Sequence, residues 1–111
     1  MPILTVDQQA LETDKEGYLL NLEDWSETVA STIAASENIT LTEAHWEVIN
    51  LLRHFYLTFE LSPAMRILVK QMGKELGEEK GKSAYLMQLF PGSPAKIAAK
   101  IAGLPRPTNC L

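Results

Sequence analysis

The strongest constraint on the fold is a helical pattern between residues 42 and 59, the longest in the chain. Its apolar side chains recur at steps of three and four residues, which places them along one face of an α-helix. Thr40 and Glu43 stand at the start of this segment in the Thr-x-x-Glu arrangement of a capping box. The pattern predicts the main core helix, whose stability requires other elements to cover the apolar face. The apolar positions are Leu41, Ala44, Val48, Ile49, Leu52, Phe55, Tyr56 and Phe59.

Four shorter helices are predicted around this one. Ser62-Pro63 and Ser93-Pro94 each place a capping residue before a proline at the first helical position. Ser26 is suited to cap another helix, and Gly103 can end the last one in a left-handed conformation. The predicted segments are 26–36, 62–76, 83–90 and 93–102.

The first twenty residues read as a small antiparallel meander of three strands, at residues 2–6, 10–13 and 18–20. Asp14 to Gly17 supplies the turn between the second and third strands. Strands followed by helices predict an α+β fold, a three-stranded meander packed on a helical array. We expect one domain over residues 1–111, with the meander at 1–20, the helical part at 21–103 and a C-terminal arm at 104–111.

Composition excludes several classes of protein. No apolar run is long enough to cross a membrane, and the N-terminal residues do not resemble a secretory signal. The one cysteine cannot form an intramolecular disulfide, which favours a reducing cytoplasm. His45 and His54 are nine residues apart on one helix, which is not the spacing of a shared metal site. No phosphate-binding loop or nucleophile motif is present, so we expect neither a cofactor nor independent catalysis.

The net charge of −4 conceals two oppositely charged halves. Residues 1–60 carry eleven acidic and two basic side chains, a net charge of −9. Residues 61–111 carry three acidic and eight basic side chains, a net charge of +5. The basic half contains the cysteine, and nearby cations favour a thiolate over a thiol. The chain has no basic patch interleaved with aromatic residues. We therefore expect no direct, sequence-specific binding of nucleic acid.

The last eight residues, 104–111, differ from the rest of the chain. Pro105 and Pro107 cannot donate backbone hydrogen bonds and favour an extended, semi-rigid backbone. Cys110, the single cysteine, is the penultimate residue. We expect an extended arm that is mobile and adds little to the stability of the domain. A thiol on such an arm can enter the active site of another protein.

Five segments of the chain resemble the DsrC/TusE family of sulfur-relay proteins. They are residues 13–19 (TDKEGYL), 44–48 (AHWEV), 62–66 (SPAMR), 89–91 (LFP) and 98–111 (AAKIAGLPRPTNCL). The resemblance covers nearly the whole chain and implies the same α+β fold. It also implies that Cys110 carries sulfur as a persulfide, so that the protein acts as a sulfurtransferase without catalysis of its own.

One position separates two branches of this family. DsrC proteins that work with dissimilatory sulfite reductase have a second cysteine eleven residues before the penultimate one, where this chain has Ala99. The sequence is therefore similar to the single-cysteine TusE branch. That resemblance implies a role in forming 2-thiouridine at the tRNA wobble position. Residues 83–89 depart from it, because relatives often carry arginines where this chain has Ala84 and Gln88.

The resemblance also implies the partners. A TusE-like protein takes sulfur from a TusBCD-like donor complex and delivers it to an MnmA-like thiouridylase with bound tRNA. Two alternatives stay open at this point. The chain can be a DsrC-like partner of dissimilatory sulfite reductase, or its paired helices can form a DNA-binding regulator. The acidic total charge and the lack of a basic recognition helix count against DNA binding.

Three basic residues are candidates to support Cys110. Arg106, four residues before the cysteine, and Lys100, on the last predicted helix, are expected to favour the thiolate. Arg66 matches a position where the family has arginine and is expected to dock the arm. For Arg66 an ordinary ion pair on a helix surface is the open alternative.

Overall fold

The computed structural model describes residues 2–107, in which a two-stranded sheet precedes five α-helices. The α+β class is confirmed. A short 3₁₀ helix, Leu22–Asp24, links the sheet to the helices. The strands are β1 (Ile3–Val6) and β2 (Gln9–Glu12), and the helices are α1 (Glu27–Ser36), α2 (Glu43–Phe59), α3 (Met65–Leu76), α4 (Ser83–Leu89) and α5 (Pro94–Ile101). None of the helices in this part of the chain is long and apolar enough to span a membrane.

The two strands form an antiparallel hairpin in which Ile3 pairs with Glu12 and Val6 pairs with Gln9. Asp7 and Gln8 make the turn, and both have positive φ angles, of 49° and 68°. Two consecutive residues with positive φ are the mark of a tight hairpin turn whose twist matches the strands.

The prediction of a third strand at residues 18–20 is wrong, because the sheet in the described residues has two strands. Residues 18–20 form only an isolated antiparallel bridge, between Leu19 and Thr13 just after β2, in which the Leu20 N–H donates to the Glu12 carbonyl at 3.1 Å. The Asp14 carboxylate accepts the N–H groups of Glu16 and Tyr18, at 2.8 and 3.0 Å, and closes a tight turn. Immediately afterwards the chain enters the 3₁₀ helix. The segment between these two local structures is too short to extend the ladder.

The start of α2 also differs from the prediction, because Thr42 and not Thr40 is the capping residue. His45 takes the place of the predicted glutamate. Its Nδ1 accepts the Thr42 N–H at 3.1 Å, while its Nε2 donates to the Leu89 carbonyl at 2.8 Å. The ring is buried edge-on against Phe90. His45 therefore ties α2 to the end of α4 and has a structural role.

The helix at the centre of the fold is α5, since it contacts α1, α2, α3 and α4. Ala98, Ala99 and Ile101 are fully buried, and the small alanines let neighbouring helices approach closely. The core face of α2 is shorter than predicted. Val48 and Leu52 are fully buried, but Phe59 at the end of the helix is 56% exposed. The C-terminal segment continues directly from α5, the helix that contacts the other four.

Candidate functional site

The chain reverses sharply where α5 ends. Gly103 has a φ of 74°, in the left-handed region. The Gly103 N–H donates to the Lys100 carbonyl at 3.1 Å, and the Leu104 N–H donates to the Ala99 carbonyl at 3.0 Å. These two bonds form a Schellman motif, the common way to end a helix with a glycine. The predicted left-handed helix end at Gly103 is confirmed.

Trp25 and Arg53 hold this turn from outside. A Cβ on Gly103 would lie 2.6 Å from Trp25 Cγ, so the indole packs directly on the glycine. Trp25 Nε1 donates to the Ile101 carbonyl at 2.8 Å. The Arg53 guanidinium lies 3.8 Å from the indole centroid and donates to the Ala102 carbonyl at 2.6 Å. Burial lowers the pKa of Arg53, but a guanidinium stays protonated at neutral pH.

The beginning of the predicted arm packs on the domain. Leu104 is only 3% exposed, and Pro107 is fully buried. The Ser62 hydroxyl donates to the Pro105 carbonyl at 2.5 Å. Residues 104–107 of the predicted arm therefore pack on the domain, and we now expect them to add to its stability. Residues 108–111, with Cys110, lie outside the residues that the structure describes.

Lys100 is engaged in a structural network. Its Nζ donates to the Glu37 carboxylate at 2.9 Å and lies 5.5 Å from the ring centroid of Tyr18. Its aliphatic chain also packs over Gly17, because a Cβ there would lie 3.7 Å from Lys100 Cδ. Lys100 therefore joins α5 to the C-terminal end of α1 and to the turn after β2. Its charge is already balanced by a carboxylate.

Arg106 is likewise paired, through a contact between its Nη1 and the Glu16 carboxylate. Both side chains are largely exposed, so solvent screening leaves this ion pair a weak contribution to stability. The pair does connect the C-terminal segment to the turn at residues 14–17, because Glu16 belongs to that turn. Arg106 and Lys100 thus contact the same turn, at Glu16 and at Gly17.

Arg66 lies in the first turn of α3 and is exposed. The alternative that it forms an ion pair on the helix surface finds no support in residues 2–107, where no carboxylate contacts it. Its neighbour Met65 lines a groove that Pro107 also lines. Of the three predicted supporting cations, Arg66 is the one left without a carboxylate partner among these residues.

The groove has a volume of about 220 Å³ and is mainly apolar. Cys110 is three residues beyond Pro107, so its Cα can lie at most about 11 Å from the groove wall. The described part of the chain therefore ends at this groove, three residues before Cys110. The lining residues are Ala64, Met65, Met87, Ser93, Pro94, Ala95, Lys96 and Pro107.

Sequence reasoning did not identify Trp25, Arg53 or Ser62 as residues that position the C-terminal segment. One signal was present for Arg53, which interrupts the apolar pattern of α2 and is one of two basic residues in the acidic half. A cation in that position needs a buried acceptor, and here it finds a carbonyl at a helix end. Trp25 and Ser62 gave no comparable signal.

Docking of residues 105–107 leads to a stability prediction. Truncation after Leu104 removes the buried Pro107 ring and the acceptor of Ser62, so we expect a loss of about 1–3 kcal/mol in unfolding free energy. Truncation after Pro107 keeps both contacts and is the matched control, with an expected change of about 0.5 kcal/mol or less. Urea unfolding of both proteins measures the difference. Equal stability of the two truncated proteins would contradict the docked arrangement.

The sequence matches a family model and named relatives over almost its whole length. Residues 5–111 match the family model described as DsrC like protein. The chain is 54% identical to Sulfurtransferase TusE of Photorhabdus laumondii over the whole length of both proteins. It is 53% identical to Sulfurtransferase TusE of Yersinia pestis, covering 98% of this chain and all of the relative.

Solved structures show the same fold. The NMR structure of Allochromatium vinosum DsrC matches with a TM-score of 0.89 and 50% identity, covering 98% of this chain and 97% of that one. The crystal structure of the oxidized gamma-subunit of dissimilatory sulfite reductase (DsrC) from Archaeoglobus fulgidus matches with a TM-score of 0.85 and 39% identity, covering 99% and 100%. With a family match over almost its full length, this chain belongs to the DsrC-like protein family.

Proposed function

We propose that this protein is a TusE-type sulfur carrier whose Cys110 accepts sulfur from a persulfide donor and passes it to an acceptor protein. The observation that carries the proposal is the way the chain leaves α5. A Schellman turn, the Trp25 indole and the Ser62 hydroxyl fix the backbone as far as Pro107, and the single cysteine follows three residues later. High identity to proteins named Sulfurtransferase TusE supports the same function.

The proposed chemistry is an exchange of sulfur without net oxidation. The Cys110 thiolate attacks the outer sulfur of a donor persulfide, the donor sulfur–sulfur bond breaks, and the donor cysteine leaves as a thiolate. Cys110 then carries the persulfide. A nucleophile of the acceptor attacks the outer sulfur in turn, which breaks the new bond and restores the Cys110 thiolate. No cofactor is needed for either step.

For the partners, we propose a TusBCD-like complex as donor and an MnmA-like thiouridylase with bound tRNA as acceptor, within the reducing cytoplasm. The product is then 2-thiouridine at the tRNA wobble position. We further propose that Arg66 is the cation that favours the ionised sulfur of the arm. Arg66 has no carboxylate partner among residues 2–107, whereas Lys100 and Arg106 are each paired with a glutamate.

A role with dissimilatory sulfite reductase is less well supported. Relatives at 52–58% identity carry the name TusE, whereas the solved DsrC proteins of Allochromatium vinosum, Archaeoglobus fulgidus and Pyrobaculum aerophilum are 50%, 39% and 36% identical. The difference from the first of these is small, so Ala99 carries most of the distinction. Ala99 also replaces the second cysteine, so no internal disulfide can form. The Ala99 side chain is fully buried in α5, where it is part of the core.

Reconstitution tests the proposed function directly. The protein is incubated with the purified donor complex, a source of persulfide sulfur, the thiouridylase and unmodified tRNA, and 2-thiouridine is measured by nucleoside mass spectrometry. We expect thiolation to depend on this protein at donor concentrations where direct transfer is slow. Thiolation at the same rate without it would overturn its place in the relay.

A further inference from the structure

The groove beside Pro107 is large enough to hold one large side chain. Its volume of about 220 Å³ is below the roughly 300–1,000 Å³ of typical small-molecule sites. Met65 and Met87 form part of the lining, and methionine adapts well to apolar groups of different shape. Met87 is 45% exposed, so the groove presents an apolar surface to whatever approaches it.

Position links this groove to the cysteine. Pro107 belongs to its wall and is the last residue before the four that end the chain. Cys110 follows Pro107 by three residues, so the two Cα atoms are at most about 11 Å apart. A single partner protein is large enough to contact the groove while it reacts with Cys110.

One cation without a carboxylate partner lines the groove, and a second is adjacent to a lining residue in the sequence. Lys96 lines the groove, and the exposed Arg66 follows the lining residue Met65. Within residues 2–107 no ion pair involves either of these side chains. By contrast, Lys80 and Lys100 each contact a glutamate. Lys96 therefore places a positive charge without a carboxylate partner at the groove, which suits an acidic surface.

We propose that this groove receives a large apolar side chain from an acidic surface of the protein that exchanges sulfur with Cys110. The inference rests on the proposed carrier function and adds to it the place and chemistry of docking. A protein is favoured over RNA, because an apolar groove offers nothing to a phosphate backbone, whereas interfaces between proteins combine apolar centres with charged edges. An apolar side chain held in the groove would keep the partner beside the thiol.

Binding measurements with the Cys110→Ser protein separate docking from sulfur chemistry. The probes are the purified donor complex and the purified thiouridylase, each with and without tRNA. Met87→Glu is expected to weaken binding to at least one of them by tenfold or more, because it places a carboxylate in the apolar groove. Leu20→Glu is the matched control at a residue that is 51% exposed, and it should change binding by less than twofold.

A charge reversal at Lys96 tests the electrostatic part of the proposal. Lys96→Glu is expected to weaken the same complex at least fivefold at low salt, and the difference should shrink as salt is added. Lys74→Glu makes the same change of charge on an exposed residue outside this groove and should have much less effect. If both groove variants bind both proteins as well as their controls do, the docking proposal is wrong.

Other occupants of the groove predict different results. If the chain's own Leu111 fills it, Met87→Glu will speed alkylation of Cys110 in the free protein, whereas our proposal expects no change. If a second copy fills it, sedimentation of the wild-type protein will show a dimer that Met87→Glu dissociates. If RNA fills it, the variants will weaken only the complexes that contain tRNA. Any of these three results would overturn the proposal.

Failure of docking and failure of the carrier function are distinguishable. Normal thiolation by wild-type protein together with unaffected binding by the groove variants would reject docking alone. Absence of sulfur transfer, with partner binding still lost in Met87→Glu, would reject the carrier function and leave the docking surface supported.

Discussion

Replacing Cys110 with serine is expected to abolish the uptake of sulfur from a persulfide donor, and with it every later step of transfer. The reaction requires a thiolate that can attack sulfur and hold it in a sulfur–sulfur bond. A serine hydroxyl is not ionised at neutral pH and forms no equivalent bond to sulfur. Since the chain has no other cysteine, no second thiol can compensate. Intact mass after incubation with the donor should show one added sulfur in the wild-type protein only.

The neighbouring variant Asn109→Ser is the matched control, because it alters the same segment and leaves the thiol in place. It should gain sulfur as the wild-type protein does, which would show that the loss in Cys110→Ser does not come from a changed arm. Thermal unfolding of both variants should match the wild-type protein, since the described contacts of the segment end at Pro107. Sulfur on the Cys110→Ser protein, or normal thiolation supported by it, would disprove the assignment of Cys110.

Local signals in the sequence predicted the ends of the elements that carry the arm. Ser93-Pro94 marks the start of α5, and Gly103 marks its end through a conformation that glycine adopts readily. These features depend on a few neighbouring residues, so one sequence suffices to identify them. The third strand was predicted wrongly because the chain enters a 3₁₀ helix at Leu22, soon after the turn that Asp14 closes, which leaves too few residues to extend the ladder.

The roles of the charged residues depended on distant partners and could not be predicted. Lys100 and Arg106 are close to Cys110 in sequence, which suggested that they act on the thiol, and that stays a prediction. Their carboxylate partners, Glu37 and Glu16, come from 63 and 90 residues away. The role of Arg53 could not be predicted either, since its acceptor is a backbone carbonyl that becomes available only where α5 ends beside α2.

Gly103→Ala is expected to produce the largest loss of stability of any alanine substitution at a glycine with positive φ in the described chain. The left-handed φ of 74° costs an alanine about 1–2 kcal/mol. The added Cβ would also lie 2.6 Å from Trp25 Cγ and 2.8 Å from Trp25 Cβ, and such overpacking costs about 1–3 kcal/mol more. We therefore expect a total loss of about 2–5 kcal/mol in urea unfolding. Transfer by the remaining folded protein should also fall, because the turn that directs the arm is displaced.

Two further variants separate the causes of that loss. Gly92 also has a positive φ, of 100°, but a Cβ there would meet only Ile97 Cδ1, at 3.8 Å. Gly92→Ala should therefore show the conformational cost alone, about 1–2 kcal/mol. Trp25→Gly removes both the indole and the Trp25 Cβ that lies 2.8 Å from the new methyl group, so Gly103→Ala should cost less in that background than in the wild-type protein. Equal costs in the two backgrounds would show that the backbone conformation, and not contact with Trp25, makes glycine necessary where the C-terminal segment begins.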